Sequence, residues 1–511
     1  MSLTSLAFLG FFSLSLIIYY IIPKKVQWLA LLLFSLGFFV LSSPLSTLMT
    51  IVISIAYTSL CIWLIGKKKA ESNSREARTV LILGIVVNLA ILAVLKYNGF
   101  FINNVNRIFS LAKVPIEFQV FHLEAPIGIG FYTFTAIGYL LDTYWGITEP
   151  QPNPLRTALF VGYYPQLTSG PITRYSQMEH QLYEGHRFDY QTVTFGLQRM
   201  LWGVFKMLVI SSRLGIVVDT IYGDTAAYPG LYVWLAAALF MFQLYTDFSG
   251  CMDIIIGASE CYGIVLPENF RTPFFSRSVQ EFWQRWHITL GAWMRDYILY
   301  PVLRTGAWRK LTKWAKAHLG KKAAKQLPSY LGMLCVWLLM GLWHGGGWKY
   351  ILGQGLWFWA MIVLSQIFEP VFKKAISLLN INTDCFSWHL FQSLRVFVLV
   401  CIGSMFFRLD SLTTVLRTMR AGLHWNPWIF TDGSMFNLGL DRPDFWVMVF
   451  SLGALLLVSA LKERGKAVRQ RLAEQNLAFR WIILFALIFG VLLWGMYGPG
   501  YDAKDFIYGQ F

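Results

Sequence analysis

The chain has 511 residues, of which 56% are hydrophobic and 14% charged, and its mean hydropathy is +0.51. Soluble domains carry about 25% charged residues, so water is not the main solvent of this protein. The net charge of +16 would suit nucleic acid in a soluble chain, but here the cations cluster beside apolar runs. That is the pattern of cytoplasmic loops against anionic membrane lipid, and it excludes a nucleic-acid partner. Apolar runs near 20 residues recur along the sequence, each long enough to cross a hydrocarbon core of about 30 Å. The predicted class is an all-α polytopic membrane protein of about 11 transmembrane helices with extra re-entrant segments.

Apolar runs at about 3–22, 26–42, 46–65 and 79–95 predict four helices. Lys24 and Lys25 follow the first run, and Lys67, Lys68, Lys69, Arg75 and Arg78 follow the third. Positive loops mark the cytoplasm, which places the amino terminus outside. No basic region precedes the first run, so it reads as a retained helix and not a signal peptide.

Gly128 to Trp145 is apolar and aromatic, a fifth membrane element. The segment Phe160 to Tyr175, FVGYYPQLTSGPITRY, contains two prolines and two glycines and cannot form one regular helix. Irregular backbone at membrane depth is tolerated only where protein or a cavity satisfies it. A re-entrant loop near a site and a plain interfacial loop both fit this segment. His180 and His186 lie in a polar stretch and read as surface residues.

Helices follow at about 193–219 and 230–258. The second carries Asp247, Ser249 and Asp253 in apolar surroundings. An ionisable residue inside a membrane segment is a functional candidate by default. Pairing with nearby cations as a structural tie is the alternative, and it is the better reading of Asp253.

The stretch from Phe270 to Trp348 carries the chemistry. His287 and His344 each follow a tryptophan, Trp286 and Trp343, in apolar surroundings. A helix from Gln280 to Tyr297 would place Trp283, Gln284, Leu290 and Gly291 around His287, with Arg285, Thr289 and Asp296 opposite. His344 ends an apolar run and is followed by Gly345, Gly346 and Gly347, an ordinary helix stop. From Pro328 that run covers about 24 Å, so His344 falls within bilayer depth. Alone, His287 reads first as a satisfied core residue, whereas a glycine break beside an aromatic belt is the lesser reading of His344. Together they suit acyl transfer, in which a neutral imidazole takes a proton from an attacking hydroxyl and returns one to the leaving thiolate.

Metal binding is disfavoured because no third and fourth ligand stand at usable spacing. A serine nucleophile set is disfavoured because GxSxG is absent. The six cysteines, Cys61, Cys251, Cys261, Cys335, Cys385 and Cys401, form no CxxC pair and read as small packed hydrophobes. Between the histidines lie Arg304, Arg309, Lys310, Lys313, Lys316, Lys321, Lys322 and Lys325, with Leu311, Trp314, Ala315 and Leu319 at helical spacing. This reads as an amphipathic helix on the cytoplasmic leaflet. It serves either as a lipid anchor or as an electrostatic attractor for a polyanionic donor such as a coenzyme A thioester.

Further runs at about 350–368, 391–408, 444–461 and 480–496 complete the helices. No fixed-period repeat is visible, which leaves a repeat-built transporter without support. The whole chain, 1–511, reads as a single membrane-embedded domain, with a core at about 125–370 and flanking helices at 1–124 and 371–511.

The stretches YYPQLTSGPITRY, LYTDFSGCMDIIIGASECYGIVLPENFRTPF, EFWQRWHITLGAWMRDYILYPV, GLWHG and the closing DFIYGQF resemble the membrane-bound O-acyltransferase family. Within it they are most similar to the bacterial branch that acetylates exported polysaccharides. The resemblance implies tilted helices around a central tunnel, a catalytic histidine at His344 and a second functional position at His287. It implies transfer of an acetyl group from cytoplasmic acetyl-CoA, as a donor substrate and not a bound cofactor, to an exported polysaccharide. An extracytoplasmic esterase-like acetyltransferase is the partner it implies, and a bacterial inner membrane is the location. Trp286 and Trp343 would shape the pocket, and Asp247, Ser249 and Gln284 would position substrate. Two rival functions stay open: D-alanyl transfer to teichoic acid, and a non-catalytic transporter or export channel.

Overall fold

The computed structural model describes residues 1–121 and 123–497, so the DFIYGQF stretch lies outside the described residues. Regular structure among them is helical throughout, with one isolated antiparallel bridge between Phe270 and Trp286. Ten of the described helices are long and apolar enough to cross a membrane, and Leu6–Ile21 is a shorter apolar helix of 16 residues. The protein is therefore a multi-pass membrane protein. Its helices differ in what surrounds them. In Leu231–Cys261, 67% of the most apolar window is buried, against 11% in Leu477–Trp494. The first is enclosed by protein, whereas the second turns Ile482, Phe489, Leu492 and Leu493 outward, as a lipid-facing helix does.

The described chain divides into two compact units. The first comprises residues 1–204 and 251–268, the second 205–250 and 269–497. In the first unit, Ile129–Trp145 is buried on nearly every side, Asp142 included, and packs against Leu48–Ala70 and Ser74–Lys96. A helix without a polar face is stable only when enclosed. The proline- and glycine-containing segment after it folds as two short helices, Pro154–Gly162 and Tyr164–Leu167, followed by irregular chain. Most of this segment is buried within the unit. The Tyr164 N–H donates to Ser35 Oγ at 3.1 Å, Gln166 Nε2 to the Phe160 carbonyl at 3.0 Å, and Thr173 Oγ1 to Gln166 Oε1 at 3.0 Å. Gly128, at φ 72°, lets the Leu167 carbonyl approach so closely that a Cβ there would overlap it.

Three further sequence readings resolve in this unit. His180 is exposed beside Glu184, at 3.1 Å. His186 is partly exposed and tied down: its Nε2 meets the Gln181 carbonyl at 2.8 Å, and its backbone N–H donates to Gln27 Oε1 at 2.7 Å. Asp253 accepts from Arg199 Nε at 2.9 Å, and Arg199 also forks onto both carboxylate oxygens of Glu268. This is a structural tie.

In the second unit, Gly306–Gly345 is a helix broken at Gly320, where φ is 86° and ψ 175°. Trp308 Nε1 donates to the Pro328 carbonyl at 3.0 Å and ties the basic arm before the break to the apolar arm after it. Ala315 is buried while Trp314 and Leu319 stay exposed, the pattern of an arm lying on lipid. None of the six cysteines forms a disulfide among the described residues.

Candidate active site

The expected continuous helix through His287 does not exist. Val279–Arg285 ends at Trp286, which is extended, and His287 then takes a left-handed conformation, φ 47° and ψ 53°, as the cap of Ile288–Met294. The break is built by pairing with the chain from Asn269. Phe270 bridges Trp286, the Arg271 N–H donates to the Arg285 carbonyl at 2.9 Å, and the Ile288 N–H donates to the Asn269 carbonyl at 3.0 Å. A non-glycine residue at positive φ costs energy and persists only where surrounding contacts impose it.

The break rearranges the faces read from helical spacing. Thr289, expected opposite His287, is buried with it. Gln284, expected beside it, is exposed, because the helical phase that would have brought it round is interrupted at Trp286.

His287 is 3% exposed and is held from several sides. Its Nδ1 lies 3.2 Å from Asn269 Oδ1. Phe248, on Leu231–Cys261, meets the ring edge-to-face at 4.8 Å between centroids. Trp343 lies 6.1 Å from the His287 ring and 5.2 Å from the His344 ring, so one indole touches both imidazoles. His287 lies outside the membrane-crossing helices, and burial, with the charge that His344 would carry, lowers it well below the ordinary imidazole value of 6.5. It is a neutral base near pH 7.

His344 is also 3% exposed and occupies the last turn of Gly306–Gly345. The glycine stop is as the sequence suggests: Gly346 caps the helix in the left-handed region, φ 54° and ψ 41°, and its N–H bonds to the Leu342 carbonyl at 3.0 Å. Phe407 packs on the His344 ring at 5.6 Å and on Tyr350 at 5.7 Å. Two glycines one turn apart, Gly341 and Gly345, bring the Lys349–Gly355 turn onto this helix. A Cβ on Gly341 would stand 2.5 Å from the Tyr350 carbonyl oxygen.

Trp286 is buried in an aromatic cluster, stacked on Phe282 at 5.4 Å and edge-on to Phe270 at 5.1 Å. It supports the chain break beside His287. Ser249 accepts from Lys206 Nζ at 2.8 Å, and that ammonium lies 5.8 Å from the centroid of Tyr245. Asp247 is buried two positions before Ser249. Lys206, Asn269 and Phe407 are absent from the sequence reading. Lys206 could have been found, since it is a cation within the apolar run LWGVFKMLVI. Asn269 carries no such signal. π-helical turns, which recur at functional sites, occur at Lys206–Ser211, Arg295–Leu299 and Lys349–Gly355, all in this unit. Among the described residues no cluster of three or more His, Cys, Asp or Glu could hold a metal.

A family model described as MBOAT, membrane-bound O-acyltransferase family, matches residues 149–410, which include both histidines. The probable alginate O-acetylase AlgI of Pseudomonas syringae pv. tomato is 31% identical over 364 residues, 71% of this chain and 64% of that protein. The probable alginate O-acetylase AlgI of Pseudomonas aeruginosa is 31% identical over 375 residues, 72% of this chain and 65% of the relative. The peptidoglycan O-acetyltransferase of Helicobacter pylori is 32% identical over 301 residues, 54% of this chain and 53% of the relative. The chain thus spans just under two thirds of the length of the alginate relatives it matches. Buried paired imidazoles in a multi-pass helical protein, a match over half of the chain and these relatives agree: this chain belongs to the membrane-bound O-acyltransferase family.

Proposed function

We propose that this protein is an O-acyltransferase that moves an acetyl group from cytoplasmic acetyl-CoA, through a passage at membrane depth, for O-acetylation of an exported or cell-surface polysaccharide. The observation that carries the reading is Trp343 in contact with both buried imidazoles, His287 and His344, inside the family match. A neutral imidazole takes the proton of the attacking hydroxyl, whose oxygen bonds to the acyl carbon. The carbon–sulfur bond then breaks, and the proton passes to the leaving thiolate. In this scheme His344 is the principal base and His287 assists. The apolar surroundings strengthen both roles by excluding water.

The relatives' names support a polysaccharide acceptor. A charged coenzyme does not cross hydrocarbon, whereas an acyl group can be passed inward by chemistry, so a cytoplasmic donor and an extracytoplasmic esterase-like partner fit a bacterial inner membrane. The test is mass spectrometry of the surface polysaccharide from cells with the gene, without it, and with His344→Asn. Acetyl groups should vanish in the last two while the variant still inserts in the membrane. Retained acetylation in His344→Asn removes this histidine from the mechanism, D-alanyl loss in place of acetyl loss names the wrong acyl group, and an unchanged polymer in the deletion refutes the function.

A further inference from the structure

The side chain of Asn269 is fully buried beneath His287, and its Oδ1 stands at the focus of three contacts. The Thr289 N–H donates to it at 3.1 Å, the Thr289 hydroxyl at 3.0 Å, and His287 Nδ1 lies 3.2 Å away. The oxygen and nitrogen of an amide look alike to most structural methods, and the proton on an imidazole is ordinarily assigned by inference. One of these contacts removes both ambiguities. A backbone N–H can only donate, so the amide atom facing Thr289 must be the oxygen. That same atom faces His287 Nδ1, and an oxygen can only accept there, so Nδ1 must carry the proton. In a neutral imidazole the lone pair then lies on Nε2.

We infer that Asn269 is a positioning residue that fixes His287 in the Nδ1–H form and leaves Nε2 as the atom that accepts or relays a proton in the transfer. The inference rests on the acyltransferase reading for what Nε2 does, but the tautomer itself follows from the contacts alone. The backbone supports the assignment. The Asn269 carbonyl accepts the Ile288 N–H, so the same residue holds the main chain on the far side of His287 while its side chain holds the ring. Asn269 thereby holds the left-handed turn at His287 from its C-terminal side, and the Arg271 N–H to Arg285 carbonyl bond holds the chain before it. The charge His344 would carry opposes protonation of His287, whereas a negative charge added at position 269 favours it.

The test uses the full-length protein in nanodiscs with ¹⁵N-labelled histidine, and a His287→Asn sample identifies the His287 signals by difference. The inference predicts a protonated Nδ1 and a bare Nε2, and a bare Nδ1 overturns it whatever the enzyme does. Two variants read the consequence through acetyl-CoA turnover. Asn269→Asp keeps an acceptor oxygen for Thr289 and His287 while adding a charge that favours the imidazolium. The acid limb of its pH–rate profile should therefore move up by about one pH unit or more. Asn269→Leu removes the acceptor, so turnover should fall about tenfold or more, by kcat with little change in KM. An Asn269→Asp profile superimposable on the wild type overturns the positioning role. If His287→Asn retains full turnover while the nitrogen shifts come out as stated, the acyltransferase role of His287 fails and the tautomer stands.

Discussion

Gly341 offers the sharpest mechanical test of how His344 is held. It precedes His344 by less than one helical turn, and the Lys349–Gly355 turn lies directly on it. An alanine Cβ would stand 2.5 Å from the Tyr350 carbonyl oxygen and 2.8 Å from Ile351 Cα. Both are backbone atoms, so no rotamer change relieves the clash. Ordinary contact begins near 3.4 Å, and the two elements must separate by about 0.9 Å to reach it. Overpacking of this kind costs about 1–3 kcal/mol of stability. The separation also carries Tyr350, which packs on Phe407, which packs on His344. A displacement near 1 Å at a reacting group can cost about 100-fold in rate. Gly341→Ala should therefore insert in the membrane and fold, yet lose about 10- to 100-fold in acetyl transfer from labelled acetyl-CoA. Gly453 is the control: nothing lies within 4 Å of a Cβ there, so Gly453→Ala should leave transfer unchanged. Transfer by Gly341→Ala within twofold of wild type would refute the reasoning that this glycine sets the position of His344.

Other outcomes follow from the same contacts. Arg213, 4% exposed in its side chain, reaches Asp444 at 2.7 Å and the Trp494 carbonyl at 2.6 Å. Arg213→Met should thus cost about 1.5–3 kcal/mol of stability, read as a lowered melting temperature in detergent. His287 is held neutral below its unfolded pKa, so it contributes stability above the ordinary imidazole value near 6.5, and that contribution is lost as pH falls through the lower folded value. Melting temperatures measured from pH 7 to 5 should fall less steeply in His287→Asn than in wild type. Lys206→Met removes the donor to Ser249 Oγ and should cost about 1.5–3 kcal/mol, again by thermal melting. Gln284→Ala should leave acetyl transfer unchanged, since this side chain is exposed.

Much of the architecture is legible in the sequence because its physics is one-dimensional. A bilayer demands about 20 apolar residues per crossing, so the runs at 26–42, 46–65 and 79–95 reappear as Lys24–Ser42, Leu45–Ala70 and Ser74–Lys96. The end of the helix at His344 is equally local, because three successive glycines stop a helix whatever surrounds them. The geometry at His287 is not local. Its break arises from pairing with Asn269 to Arg271, and no spacing rule within 280–297 reports a partner that lies outside it. Helical periodicity does not run through His287, which is not helical, so Thr289 is buried and Gln284 exposed. Asp247 and Lys206 obey the same rule about buried charge. Only Asp247 stands out by eye, because Lys206 is a lone polar residue within LWGVFKMLVI, whereas Asp247 has Ser249 and Asp253 for company.

The central claim is that the two imidazoles share one site that an acyl thioester can enter. An experimental structure of the purified protein with a non-hydrolysable acetyl-CoA analogue tests it most directly. The account predicts the analogue's acyl carbonyl within about 3–3.5 Å of a His344 or His287 ring nitrogen, with Trp343 alongside. An analogue bound elsewhere, with both rings sealed in solid packing, would contradict it.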